Sequence, residues 1–281
     1  MPVQLSISEQ LSYNTIRIVT DTGTGTGFIY KFCVNDDGFN IPAIVTNKHV
    51  IAGAKRGEFL LTLADKDGSP ADTEHQVCTF DNFESMWLKH PDANVDLCAM
   101  PIAPLLSSLQ KEKKRAFYIP IDKALLSTQQ ELEDLRLIED ILMVGYPNGL
   151  WDEVNNMPLF RKGITSSHPA LDWNGKKEML IDAACFPGSS GSPVFLFNEG
   201  GYTDKKGNTN LGGTRVKLLG ILYAGPQHTA EGDIQIVDVP ISNKPITLTG
   251  IPNNIGIIIK AERLQELDDL FLELAKKNGE I

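Results

Sequence analysis

Phe186-Pro187-Gly188-Ser189-Ser190-Gly191-Ser192-Pro193-Val194-Phe195 sets a run of serines among small residues, ahead of an apolar stretch. Small neighbours leave a hydroxyl uncrowded and let the backbone turn sharply. Such a turn aims successive N–H groups at one point, which is what holding an oxyanion requires. Gly-Ser-Ser-Gly-Ser is equally a good flexible turn, and on this stretch alone the two readings balance.

Outward from the turn, most of the chain reads as short strands. Thr15–Thr20 alternates apolar and polar residues, as a half-buried strand does. Gly27–Phe32, Ile41–Thr46, Phe59–Ala64 and Asp96–Ile102 continue the series, followed by Leu142–Gly145, Met179–Asp182, Ser192–Phe197 and Val216–Tyr223. Two helices stand out. Thr128-Gln-Gln-Glu131 has the form of a capping box ahead of Leu132 and Leu135. Near the C-terminus Leu264, Leu267, Leu270, Phe271 and Leu274 recur at helical steps. Many short strands with little helix point to all-β barrels or sandwiches. The composition turns polar around Ser107–Arg115, a candidate boundary between two β halves.

Two further stretches carry chemistry. In Ile44-Val-Thr-Asn-Lys-His49-Val-Ile-Ala52 a histidine ends an apolar strand. A lone histidine there is more often structural than catalytic. In Asn94-Val-Asp96-Leu-Cys-Ala-Met100 an acid opens an apolar run, which is costly unless the acid is paired, though it also suits a turn cap. Each signal is moderate; the order His49, Asp96, Ser190 makes them strong together. The chain resembles the chymotrypsin-like serine proteases: Thr46–Ala52 resembles their histidine block, Asp96–Ala99 their aspartate block and Gly188–Pro193 their serine block. The resemblance runs from about Ile18 to the C-terminal helix and is nearest in wording to bacterial trypsin-like and glutamyl-endopeptidase-type members.

The resemblance implies an all-β fold of two six-stranded antiparallel barrels with a C-terminal helix. Residues 1–110 would carry His49 and Asp96; residues 111–281 would supply a linker, the barrel with Ser190 and the terminal helix. It implies a serine endopeptidase with Ser190 as nucleophile, His49 as base and Asp96 as its orienting acid. The backbone N–H groups of Gly188 and Ser190 would form the oxyanion hole. Ala184, Leu222, Tyr223, Ala224 and Gly225 would line the substrate pocket. Ala184 stands where trypsin has an aspartate and Leu222 where glutamyl endopeptidases have a histidine, so a small or apolar P1 residue is expected. Ser189 replaces the aspartate that pairs with a processed N-terminus in digestive members, which points to an activating partner or a loop rearrangement instead. Two alternatives stand beside this reading: a catalytically silent peptide-binding module, and an esterase using the same triad.

The 281 residues, 42% hydrophobic and 22% charged, suit an ordinary globular chain with a sizeable core. A net charge of −10 argues against nucleic acid or anionic membrane as partner; a protein or peptide substrate is what the resemblance implies. The first residues lack an export signal and no apolar run is long enough to span a bilayer, so the expected compartment is the cytoplasm. Only about one helix follows Lys260, too little for an appended peptide-binding domain. Cys33, Cys78, Cys98 and Cys185 show no paired spacing and read as buried, reduced thiols, with neither a metal site nor a cofactor expected. The alternation of Gly23, Gly25 and Gly27 lacks the Gly-Lys-Ser/Thr ending of a phosphate loop and reads as a strand. Lys111–Arg115 reads as a solvated linker, His75 and His90 as surface residues. Trp151 is either a substrate contact or, by default, a packing tryptophan.

Overall fold

The computed structural model describes residues 3–225, 227–230, 249–252 and 254–278. After a short helix α1 (Ile7–Ser12), capped reciprocally by Ser6 and Glu9, the chain enters a sheet. Its strands are β1 (Thr15–Thr20), β2 (Gly23–Phe32), β3 (Ile41–Thr46), β4 (Arg56–Ala64), β5 (Pro70–Asp81), β6 (Leu88–Lys89) and β7 (Cys98–Pro101). They pair antiparallel in the order β5-β4-β1-β2-β3-β7-β6. The four-residue helix α2 (Lys48–Ile51) follows β3. Helices α3 (Ala103–Lys111) and α4 (Gln129–Glu133) occupy the connection to the second half, and Thr128 and Glu131 form the expected capping box.

The second half holds β8 (Asp140–Gly145), β9 (Leu159–Thr165), β10 (Glu178–Asp182), β11 (Pro193–Asn198), β12 (Gly201–Thr203), β13 (Thr209–Leu211), β14 (Arg215–Ala224), β15 (Gln227–Ala230), β16 (Thr249–Pro252) and β17 (Ile255–Lys260). Six of these close a barrel in the order β10-β17-β14-β11-β8-β9, while β12 with β13 and β15 with β16 form separate pairs. Helix α5 (Leu264–Asn278) ends the described chain. Among the described residues no helix is long and apolar enough to cross a membrane.

The structure therefore has one closed six-stranded barrel, and the N-terminal half is a seven-stranded sheet rather than a second closed barrel of six. The reason lies at the edges. Among the described residues β5 pairs only with β4, and β6, two residues long, pairs only with β7, which leaves both rims of that sheet unjoined there. β5 carries Thr73, Glu74 and Thr79 exposed and begins at a proline, as an edge strand does.

Period-two alternation divides the side chains of β2 between two cores. Phe28, Tyr30 and Phe32 join a cluster shared with Val144, Phe195, Leu264 and Phe271, whereas Ile29 joins Ile18, Ile44 and Phe59. Phe32 stacks on Phe271 with ring centroids 4.5 Å apart, so the terminal helix seals the N-terminal sheet. One apolar cluster thus spans both halves and fixes how their loops meet.

Candidate active site

β3 and β7 run antiparallel with Thr46 opposite Cys98. His49 lies three residues beyond Thr46 and Asp96 two before Cys98, so this register alone carries them to the same end of the sheet. Asp96 Oδ1 accepts the His49 backbone N–H at 3.0 Å, and Asp96 Oδ2 lies 2.5 Å from His49 Nδ1. Asn47 Nδ2 donates to the Asp96 carbonyl at 2.8 Å, tying the two segments again. The His49 side chain is 47% exposed and that of Asp96 23%, so the acid is the more covered partner of the pair.

The loop that delivers Asp96 is held from behind. His90 is buried, accepts the Asp92 N–H at Nδ1 (3.1 Å) and approaches the Arg263 carbonyl through Nε2 (3.3 Å). Arg263 also donates to the Asp92 carboxylate at 3.0 Å. Burial lowers the His90 pKa against the opposing pull of Glu266. His90 is therefore an interior clamp, not the surface residue its polar sequence neighbours suggest. His75 lies half-buried in β5.

Ser190 sits on a turn whose two flanking glycines, Gly188 and Gly191, have φ of 87° and 88°. A methyl at Gly191 would stand 1.8 Å from the Thr26 carbonyl oxygen and 2.4 Å from Thr46 Oγ1; one at Gly188 would stand 2.5 Å from the Tyr146 carbonyl oxygen. Only glycine serves where the φ is left-handed and the backbone is this close. The turn is wrapped around Thr26. The Thr26 N–H donates to the Ser190 carbonyl (2.8 Å), its hydroxyl donates to the Gly188 carbonyl (2.8 Å) and accepts the Tyr146 N–H (3.1 Å), and its own carbonyl accepts the Thr46 hydroxyl (2.6 Å). Neighbouring Gly25 lies against Val50, the residue after His49, closely enough that a methyl there would meet Val50 Cγ1 at 2.4 Å. Adjacent residues of β2 thus touch the histidine segment and the serine turn. No hydrogen bond joins the Ser190 hydroxyl to the His49 ring among the described residues.

Within the turn, Ser189 N–H donates to Phe186, Gly191 N–H to Leu222 and Ser192 N–H to Ser189. Among the described residues the N–H groups of Gly188 and Ser190 have no acceptor. The carbonyls of the same two residues are both engaged by Thr26.

Leu222 binds the turn through its backbone in both directions, accepting from Gly191 (2.8 Å) and donating to Ser192 (3.0 Å), while its side chain is buried in the barrel core. Its part in any pocket is its main chain. A register shift between Leu222 and Ala224 lets β14 bend there. Tyr223 donates to Glu178 at 2.9 Å; burial and that carboxylate push its pKa up. Gly225 is exposed and Ala184 half-buried. Cys185, between them in space, has a thiol pushed up to about 11 by burial, which keeps it protonated and unreactive at neutral pH. Cys33, Cys78 and Cys98 are buried. Among the described residues no His, Cys, Asp and Glu cluster could hold a metal ion.

Thr26 escaped the sequence reading because it hides in the Gly23–Gly27 alternation; those glycines are explained by β2, where Gly25 and Gly27 make room for Val50, Ile44 and Ile18. A Thr set between two glycines that pack under a histidine strand was the available signal.

Residues 25–201 match the trypsin-like peptidase domain family, a span that includes His49, Asp96 and Ser190. No curated protein sequence matches the chain. Among solved structures it is similar to the Rv3671c protease in its inactive form, from M. tuberculosis, at 14% identity over 94% of this chain and 95% of that one, TM-score 0.40. It is also similar to the HtrA-type protease AlgW with a decapeptide, at 15% identity over 96% and 68%, TM-score 0.46. A human pathogenic astrovirus serine protease is similar at 12% identity over 89% and 90%, TM-score 0.43.

Proposed function

The chain belongs to the trypsin-like peptidase domain family, and we propose that it is a serine endopeptidase working through His49, Asp96 and Ser190. The observation that carries the proposal is the twofold grip of Asp96 on His49, one carboxylate oxygen on the backbone N–H and the other on Nδ1. This grip puts the ring proton on Nδ1 and leaves Nε2 as the base. Ser190 Oγ attacks the peptide carbonyl and gives its proton to His49 Nε2. The imidazolium is stabilised by Asp96 and then protonates the leaving amine. Water deacylates the serine ester by the same route in reverse. The free N–H groups of Gly188 and Ser190 receive the developing oxyanion, and each such donor typically contributes about 2.7–4 kcal/mol in the transition state. The main chain of Leu222–Gly225 would pair with the acyl side of the substrate. The test is hydrolysis of casein by the purified protein, with Ser190→Ala as control. Turnover lost in the variant supports the proposal; turnover unchanged in the variant overturns it.

A further inference from the structure

Arg17 of β1 lies opposite Thr26 in the β1–β2 register, one strand away from the residue that pins the serine turn. Its guanidinium carbon lies 5.0 Å from the centroid of the Trp151 ring. Its Nη2 approaches Gly149, where a methyl would meet it at 3.5 Å and Thr24 Oγ1 at 3.7 Å. Gly149 in turn abuts the serine turn, since a methyl on Gly188 would stand 3.2 Å from the Gly149 nitrogen. The chain from Pro147 to Trp151 is thus a bridge between the guanidinium and the candidate oxyanion donors.

Arg17 is also a charge without a counter-ion. It makes no hydrogen bond and no ion pair among the described residues, and its Nε is fully buried with no acceptor. Asp152 and Glu153, the acids nearest in the loop, are exposed, and Asp152 is engaged with Val154 and Asn155. Of the other half-buried arginines, Arg215 is paired with Glu139 and Arg263 with Asp92 and Glu266, while Arg161, its Nε likewise without an acceptor, lies over the Phe186 ring. In a chain of net charge −10, an unpaired, partly desolvated guanidinium beside the reactive turn is a costly feature that a ligand carboxylate would relieve.

The side of the cleft follows from the strands. Leu222 grips the turn at Gly191 and Ser192, whereas the Pro147–Trp151 segment meets it at Pro187 and Gly188, where Asn148 N–H donates to the Pro187 carbonyl at 2.6 Å. With the acyl half of a peptide along Leu222–Gly225, the leaving half passes the opposite flank, toward Arg17 and Trp151. We propose that Arg17, its guanidinium over the Trp151 ring, forms a subsite for a carboxylate on the leaving-group side of the scissile bond. The inference rests on the peptidase reading of the cleft and deepens it: the substrates are peptides acidic just after the cut. Either an Asp or Glu side chain or the peptide's own C-terminal carboxylate supplies that chemistry.

The experiment is an affinity selection of soluble random octapeptides on full-length Ser190→Ala protein, read by mass spectrometry, with the library made in amidated and free-acid forms. Binding does not need catalysis, and fluorophosphonate labelling of the unmodified protein tests the peptidase reading separately. Enrichment of Asp or Glu at one or two adjacent positions is expected in the amidated library, by about tenfold, as one charge-assisted hydrogen-bonded pair gives. Enrichment confined to free acids would assign the subsite to the C-terminal carboxylate instead. Either enrichment should disappear when Arg17→Gln is added and persist in part with Arg17→Lys, with melting temperatures taken on each to separate unfolding from lost recognition. No acidic enrichment, or the same enrichment without Arg17, overturns the proposal.

Discussion

The Thr26 N–H donates to the Ser190 carbonyl across 2.8 Å, joining the second strand of one half to the reactive turn of the other. The Thr26 hydroxyl completes the grip on Gly188 and Tyr146. Together they engage the carbonyls of Gly188 and Ser190.

Replacement of that hydroxyl separates positioning from binding. Thr26→Val keeps the shape but strands a buried N–H and a buried carbonyl, each worth about 1–3 kcal/mol. The expected result is a kcat lowered roughly tenfold or more with KM little changed, and recovery in Thr26→Ser. Steady-state kinetics on a single peptide checks it; equal loss in Ser and Val variants would count against a hydroxyl role.

Gly191 is the most tightly enclosed point of the turn. Gly191→Ala combines a φ of 88° with a methyl 1.8 Å from the Thr26 oxygen, and a loss of stability above about 3 kcal/mol is expected. Gly175→Ala, at φ 75° with nothing within 4 Å, should cost only about 1 kcal/mol. Denaturant melts of the two proteins compare strain with and without a clash.

His90 predicts an acid limit. Its folded pKa lies below the ordinary 6.5 because it is buried among Arg263, Lys48, Asp92 and Glu266. As the pH falls below about 6.5 the unfolded chain takes up a proton that the folded chain refuses, so stability present above that pH is lost. Over the window in which only the unfolded state binds that proton, the loss is about 1.4 kcal/mol per pH unit. Protonation at Nδ1 also displaces the Asp92 N–H and loosens the loop before Asp96. Thermal melts from pH 7.5 to 5 should show a slope that His90→Gln reduces; an unchanged slope would place the acid sensitivity elsewhere.

Much of this architecture was legible in the sequence. β1 and β3 have the limits read from the sequence, and β8, β10, β11 and β14 were found to within a few residues, because each carries a short apolar run that ends up buried. β5 was not, since an edge strand needs no apolar face. Helix α3 runs into the stretch read as a polar boundary, overlapping it over residues 107–111. The contact of His49 with Asp96 follows from the two runs singled out in the sequence, whose register in β3 and β7 sets them at one end of the sheet. Thr26 was not legible, because its role is a contact between segments 162 residues apart that no local pattern records. Leu222 was read as a pocket-lining residue, but its side chain lies in the barrel core, which strand alternation alone did not decide across the β14 bulge.

The most direct test of the central claim is labelling by a fluorophosphonate probe of the unmodified protein, Ser190→Ala and His49→Ala. The account predicts covalent labelling of the unmodified protein at Ser190, abolished in the first variant and reduced at least a hundredfold in the second. Labelling that survives in Ser190→Ala, or an unmodified protein that takes no label, would contradict it.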